Sequence, residues 1–547
     1  MIDGLTRLEL TNRLATAAAL FFIVYFLLAG LALLPYPGIQ NDEALFSLGI
    51  YDPGIALTFR SFFKHRVPMM LMSYLGALKT WIYTPIFALW KPSLWSVRLP
   101  VLLLGAVTIW LFFILLRKIS GIRAALAGTA LLATDASYLL TSVFDWGPVV
   151  LQHLLAVGGV LSFVRFHQSG SRRALGLGCF LFGLAMWDKA LFIWTFAGMG
   201  VAVLLLYPRV IFKQLNRKNI VVALICFSIG ALPFLHYNYK KEADTFRKNV
   251  VLSKAQFSNK KQILINTLDG NGLFGYMVYD DPADQPRQPQ TKLERISLEI
   301  GEFAGHPRSG PLRYMAIVAL FLIPLMWFTP SRKPALFAAI TAGIAWLLMA
   351  FTQGAGETVH HAVLIWPWPH MLIAMAFAEA SRHLRQGGTL LLGGIIAYTC
   401  AGNALVANEH LVKFARNGAM HSWSDANTAL HAALEQSTAK QVFAADWGII
   451  DGQRLMSDGR LCLRWVGAGL RSAEISEVDR QGLQELVTGP QNVAVVHTEP
   501  NEEFAGSKQR LIEFARNAGY RHELVQTIHD RNGRPVFEIF RFMRMGN

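Results

Sequence analysis

The chain has 547 residues, 53% of them hydrophobic and 16% charged, with a net charge of +15. A soluble domain carries closer to about 25% charged residues, and the mean hydropathy of +0.35 agrees with a membrane protein. The Lys and Arg residues sit in short loops between apolar runs, not on one folded face, which argues against a nucleic-acid-binding protein. The four cysteines (Cys179, Cys226, Cys400 and Cys462) have no spacing that suggests a zinc site or a disulfide framework.

The first apolar run, 14–34, is longer than the roughly 7–15 residues of a signal-peptide core and lacks a small-residue cleavage site. It reads as an uncleaved first span. A span needs about 20 mostly apolar residues, and about eleven segments qualify. They are 14–34, 97–116, 122–141, 148–166, 173–187, 189–207, 219–236, 312–329, 335–352, 361–379 and 387–405. Alternate loops carry Arg117, Lys118 and Arg123; Arg165, Arg172 and Arg173; Arg209, Lys213, Arg217 and Lys218; Arg332 and Lys333; and Arg382 and Arg385. The loops between them hold the acids. By the positive-inside rule the basic set is cytoplasmic, so the N-terminus is inside and the C-terminal part outside.

Three large pieces then face the outside: 35–96, 237–311 and 407–547. In the first, Met69 to Leu78 and Trp81 to Trp95 are too short to span, and their Trp and Tyr suit helices lying in the interface. The C-terminal piece reads as a small α/β domain. Helical period covers Asp425 to Glu435 and Ser507 to Ala518, and strands are predicted at Gln441 to Ala445 and Asn492 to His497. A hairpin is predicted around Asn532-Gly533, from Glu523 to His529 and from Val536 to Phe542. The expected architecture is an all-α polytopic membrane domain over 1–406 and a soluble extracytoplasmic α/β domain over 407–547.

Ionisable residues gather at the outer face while the span centres stay apolar. Asn41-Asp42-Glu43 follows the first span, and two adjacent carboxylates at the mouth of a bundle can deprotonate a hydroxyl. Such acids are also ordinary at a helix N-terminus. Lys64, His65 and Arg66 precede Pro68. Asp145 opens the fourth span, Asp188 and Lys189 lie between the fifth and sixth, and Glu357, His360 and His361 precede the tenth. On a helix, Glu357, His360 and His361 would share a face and could hold a divalent metal; hydrogen-bonded interfacial histidines are the plainer reading. Asp135 and His153 fall within spans, toward the outer half.

Asp42-Glu43, Lys64-His65-Arg66-Val67-Pro68, Arg98-Leu99-Pro100, Asp145 and His360-His361 followed by Trp366-Pro367-Trp368-Pro369 occur in an order that resembles the GT-C glycosyltransferases. Within them the pattern looks like the protein O-mannosyltransferases and the bacterial aminoarabinose transferase. The family often has Lys directly before the Pro of the first loop; here Val67 intervenes, leaving Arg66 or Lys64 as the phosphate contact. The resemblance implies a transferase that moves a sugar, with inversion, from a polyprenyl-phosphate donor to a lipid, glycan or protein acceptor outside the membrane. It implies Asp42 as general base, Glu43 assisting, and Lys64 or Arg66 with His361 on the departing phosphate. His65, Asp145, Asp188, Lys189 and His360 join them as substrate-binding candidates. A bacterial inner membrane and a possible divalent metal belong to the same expectation. An oligosaccharyltransferase or polymer ligase, a secondary transporter and a non-catalytic scaffold are the alternatives. A transporter would place its ionisable groups near the midplane and show repeated halves.

Overall fold

The computed structural model describes residues 2–54, 57–60, 66–282, 286–471 and 475–546. Each of the eleven predicted segments holds a helix. Five helices are long and apolar enough to cross a membrane unaided: Asn12–Leu33, Leu94–Ser120, Val149–Ser169, Arg332–Ala350 and Gly387–Arg416. Four further crossings would be bent pairs, and Leu312–Met326 is a shorter apolar helix. The chain is thus a multi-pass membrane protein.

The bends have local causes. Ile122–Thr134 and Ala136–Val143 meet at 59° because Asp135 starts a second helix. Its Oδ1 accepts from the Tyr138 amide at 2.7 Å, satisfying a first-turn donor. Its Oδ2 accepts from Trp366 Nε1 at 3.1 Å and lies 3.0 Å from His370 Nε2, tying this break to the helix Trp368–His383 and the turn before it. At 75°, Arg217–Gly230 turns into Leu232–Lys240 before Pro233, whose ring cannot join an uninterrupted ladder.

Within residues 35–96, Leu78–Leu89 is a helix, as the apolar pattern suggests. Met69 to Leu78 is not. Arg66–Met70 is a strand (β2) paired antiparallel with Leu57–Arg60 (β1), and Met70 bridges to Gly76. Tertiary pairing holds it extended: the buried carbonyl of Met69 accepts from Trp187 Nε1 at 2.8 Å and from the Ala77 amide at 3.0 Å. The segment therefore binds to the membrane bundle as extended chain.

The last membrane helix runs on to Arg416, past the predicted boundary at 407. Beyond it lies a five-stranded sheet. Its strands are Gln441–Ala444 (β3), Leu463–Trp465 (β4), Asn492–His497 (β5), Tyr520–His529 (β6) and Pro535–Arg544 (β7), in the order β4-β3-β5-β7-β6. β3 is parallel to β4 and β5; β7 is antiparallel to β5 and β6. β5 is buried throughout, which suits a central parallel strand covered on both faces. Helices Glu477–Thr488 and Ser507–Asn517 pack with Phe443, Val496 and Phe540 on one face; helix Ala426–Gln436 packs with Val442, Val495 and Ile539 on the other. The β6–β7 hairpin turns at Asn532-Gly533, where Gly533 has φ +78° and the Asp530 carboxylate accepts from Asn532 N and Arg534 N.

Candidate active site

Gln40 builds the start of the site. Its side-chain oxygen accepts from the amides of Asp42 (2.6 Å) and Glu43 (3.2 Å), while Glu43 reaches back to the Gln40 amide. This capping box starts the one-turn helix Asn41–Ala44 and fixes the two carboxylates in different directions.

Glu43 points inward. Arg98 Nε and Nη2 meet its two oxygens at 2.7 and 2.9 Å. The other Arg98 donors go to the carbonyls of Leu34, Pro37 and Gly38 at 2.7, 2.9 and 2.7 Å. All five guanidinium N–H groups are thereby used. The guanidinium also lies over Phe144, 4.7 Å from its centroid, and both charged side chains are buried. Glu43 holds the end of the first helix to the helix that begins at Leu94.

Asp42 faces outward into a small cleft with Leu45, Phe46, Leu71, Leu75, Lys79 and Pro148. Burial pushes its carboxyl above the usual range; a hydrogen bond with Asn41 and the charge of Lys189 pull it back, and nearby Glu503 pushes it up again. Lys189 is buried, and a backbone bridge to Leu75 holds it beside this cleft. Among the described residues its ammonium has no hydrogen-bond or ion-pair partner. It lies 3.4 Å from where a Cβ on Gly147 would sit. Gly147 has φ +76°, so a side chain there would be strained as well as close to the ammonium.

The neighbouring acids are committed elsewhere. Asp145 is fully buried and pairs with Lys79 Nζ at 2.9 Å; its other oxygen accepts from the amides of Val149 and Val150. Asp188 accepts from Gln152 Nε2 at 2.9 Å, and its Oδ1 has no partner among the described residues. Asp145 thus sets the start of its helix and the position of Lys79, while Asp188 lies behind Lys189.

The structure separates the proposed Glu357–histidine face. The helix begins at Val359, so Glu357 lies outside it and the i, i+3 relation is lost. Glu357 accepts from the Gly354 amide at 2.9 Å and lies 3.6 Å from Lys260 Nζ. His360 Nδ1 sits 3.0 Å from the Thr358 hydroxyl, and its ring meets Trp146 edge-on at 5.5 Å. His361 Nδ1 is buried without a partner among the described residues. Arg66 is exposed at the start of β2. Lys64 and His65 lie outside the described residues.

Several groups at the site come from distant chain segments. Lys79, hidden within an apolar interface pattern, is one. Tyr276 comes from the 237–311 segment, and its ring packs near Trp146 and Trp423 at 6.1 and 6.3 Å. Trp146 and Trp423 meet edge-on at 5.2 Å, and each has a buried indole N–H without a partner among the described residues. The sheet domain adds Glu503 and Asp451. The Asp451 amide donates to Asn41 Oδ1 at 3.2 Å. Its carboxyl, paired with Arg454, is pushed up to about 6, chiefly by burial. Charges scattered this widely had no local signature in the sequence.

Residues 76–234 match the family model described as dolichyl-phosphate-mannose-protein mannosyltransferase. No curated protein matches the sequence. Among solved structures, ArnT from Cupriavidus metallidurans bound to undecaprenyl phosphate superposes with a TM-score of 0.59 at 12% identity, covering 96% of this chain and 98% of that one. Its apo state gives 0.57 at 14% identity over the same shares of the two chains, 96% and 98%. The oligosaccharyltransferase AglB from Archaeoglobus fulgidus, in complex with an inhibitory peptide and a dolichol-phosphate, gives 0.51 at 13% identity, covering 96% of this chain and 74% of that one. The chain has the fold of the GT-C glycosyltransferases, the group its motifs resemble.

Proposed function

We propose that the chain transfers a sugar from a polyprenyl-phosphate donor to an acceptor hydroxyl at the outer face of a bacterial inner membrane. The observation that carries this reading is Asp42 in a cleft it shares with Gly147, against which the buried Lys189 ammonium lies without a partner among the described residues. Asp42 is the general base. As the acceptor oxygen attacks the anomeric carbon, its proton passes to Asp42. The bond from that carbon to the phosphate oxygen breaks, and the phosphate leaves with the electron pair. Lys189 balances the charge that grows on the leaving oxygen. A single displacement inverts the anomeric centre.

This reading gives Glu43 a positioning role, since Arg98 occupies both its oxygens. Asp145 and Asp188 shape the pocket around Lys79 and Lys189. Arg66, exposed on β2, meets the lipid phosphate as it approaches. A membrane transferase of this kind suits a donor whose tail stays in the bilayer, and ArnT, of the same fold, was solved with undecaprenyl phosphate.

The test uses the full chain in lipid nanodiscs, a panel of undecaprenyl-phosphate sugars and an envelope extract as acceptor. Release of undecaprenyl phosphate by the wild type, and its loss in Asp42→Asn, supports the assignment. Equal release by the two proteins removes Asp42 from the chemistry. No release with any donor from folded protein moves the reading to a transporter or scaffold.

A further inference from the structure

The sheet domain has a feature that the displacement chemistry does not use. Strand β3 connects through helix Ile450–Met456 to β4 on one side, whereas β5 connects through helix Ser507–Asn517 to β6 on the other. Two adjacent parallel strands whose connections leave in opposite directions open a crevice at their carboxyl ends. That is where open α/β sheets bind ligands. Asp446 lies just beyond β3, and His497 ends β5.

These two residues meet in the crevice. His497 Nδ1 is 2.8 Å from Asp446 Oδ2. The Asp446 carboxylate also accepts from the amides of Trp447 (2.8 Å), Glu503 (2.9 Å) and Phe504 (3.0 Å). This fixes the loop after β5 against the end of β3. With Nδ1 donating to a carboxylate, Nε2 of the uncharged ring is left as an acceptor. His497 Nε2 has no hydrogen-bond partner among the described residues. Beside it, His421 Nε2 lies 3.1 Å from Glu503 Oε1, and the His421 and His497 rings are 6.2 Å apart.

This end of the sheet domain meets the membrane site. The Asp451 amide, in the helix after β3, donates to Asn41 Oδ1 beside Asp42 at 3.2 Å, and Tyr276, 39% accessible, packs 6.3 Å from Trp423, two residues from His421. The charge of Glu503 acts on the Asp42 carboxyl across this junction. Hydrogen-bond acceptors beside an aromatic face suit a ring that carries several hydroxyl donors, whereas the acids Glu503 and Asp446 disfavour a phosphorylated ligand.

We propose that this crevice is the acceptor subsite, in which Glu503 and His497 accept hydrogen bonds from a saccharide whose free hydroxyl is thereby presented to Asp42. The inference rests on the transferase reading above and adds the class of acceptor. Asp446 is a positioning residue that orients His497 and the Glu503 loop.

Two measurements on the full chain in nanodiscs test it. In the transfer assay, Glu503→Ala raises the KM for the extract acceptor about tenfold, the loss of one charge-assisted hydrogen bond. The KM for the lipid donor stays as in the wild type. Glu503→Gln, which keeps an acceptor oxygen, falls between the two proteins. His421→Gln, on a partly exposed side chain, is the second variant and shifts acceptor KM in the same direction. Unchanged acceptor KM in both, or an equal rise in donor KM, overturns the proposal. So does an acceptor that proves to be a polypeptide side chain.

Saturation-transfer NMR with delipidated envelope oligosaccharides is the second measurement and needs no turnover. Signal in the wild type that is lost in Glu503→Ala supports the saccharide subsite even if no donor is turned over, in which case only the transferase reading falls. No signal in the wild type overturns the subsite.

Discussion

The two carboxylates of one helical turn stand in opposite surroundings. On the inner side, Glu43 and Arg98 form a dry, fully bonded clamp: every guanidinium donor has an acceptor, and the pair ties three backbone carbonyls together. On the outer side, Asp42 carries a carboxyl raised by burial, and the nearby Lys189 ammonium is unpaired among the described residues. Adjacent acids thus divide between holding the chain and leaving a group available for reaction. Charge that is fully paired stabilises geometry; charge left without a partner is costly and is retained where a substrate will supply the partner.

The contrast breaks most sharply if the clamp is cut. Arg98→Ala leaves Glu43 buried and alone, and is expected to cost about 3–5 kcal/mol. Thermal unfolding in nanodiscs should show it, and Arg98→Lys should not rescue it, because an ammonium cannot make the paired contact with both Glu43 oxygens and reach the carbonyls. Next in size is Asp42→Asn, which should lower lipid-phosphate release by about 10²–10⁴-fold. Because the folded-state carboxyl is raised, its ionisation works against folding; the Asn variant should therefore be at least as stable as the wild type above the usual carboxylate range. A Tm well below wild type would make Asp42 structural.

Lys189→Met should reduce kcat by about 10²–10³-fold, the loss of one charge that stabilises the leaving group. A change in KM alone, with kcat intact, would place Lys189 in binding rather than in the displacement. The pH profile follows from the direction of the Asp42 shift. A base must be ionised, so activity falls as pH drops through its raised value, and the acid limb lies above the normal carboxylate range. Asn41→Ala removes one interaction that favours the ionised form and should move that limb higher still. The smallest effect belongs to Glu357→Gln. Lys260 keeps its bonds to the Thr352 and Met349 carbonyls, so activity should change less than about threefold, within the ordinary range of surface substitutions.

Much of the membrane layout could be read in advance because apolar length and loop charge are local properties. Helices at all eleven segments, the β6–β7 hairpin and strands β3 and β5 follow from such patterns. What was not legible depends on distant chain. Nothing near Glu43 says that Arg98 will take both its oxygens. Met69 to Leu78 has the composition of an interface helix, yet the Met69 carbonyl, taken by Trp187 and the Ala77 amide, holds it extended. Glu357 and the histidines have helical spacing, but the helix starts two residues too late for them to share a face. Lys79, Tyr276 and Glu503 reach the site from three separate segments, and a single sequence carries no record of that meeting.

The hydrogen bond between Asn41 and Asp451 joins residues 410 positions apart. During synthesis Asp42 therefore emerges with the first membrane helix, long before the surface that packs against its loop. A nascent chain would pass most of its insertion with Asp42 uncovered and the crevice unmade. The site would be complete only when the sheet domain has folded against the first loop, so that a stalled chain leaves it unassembled.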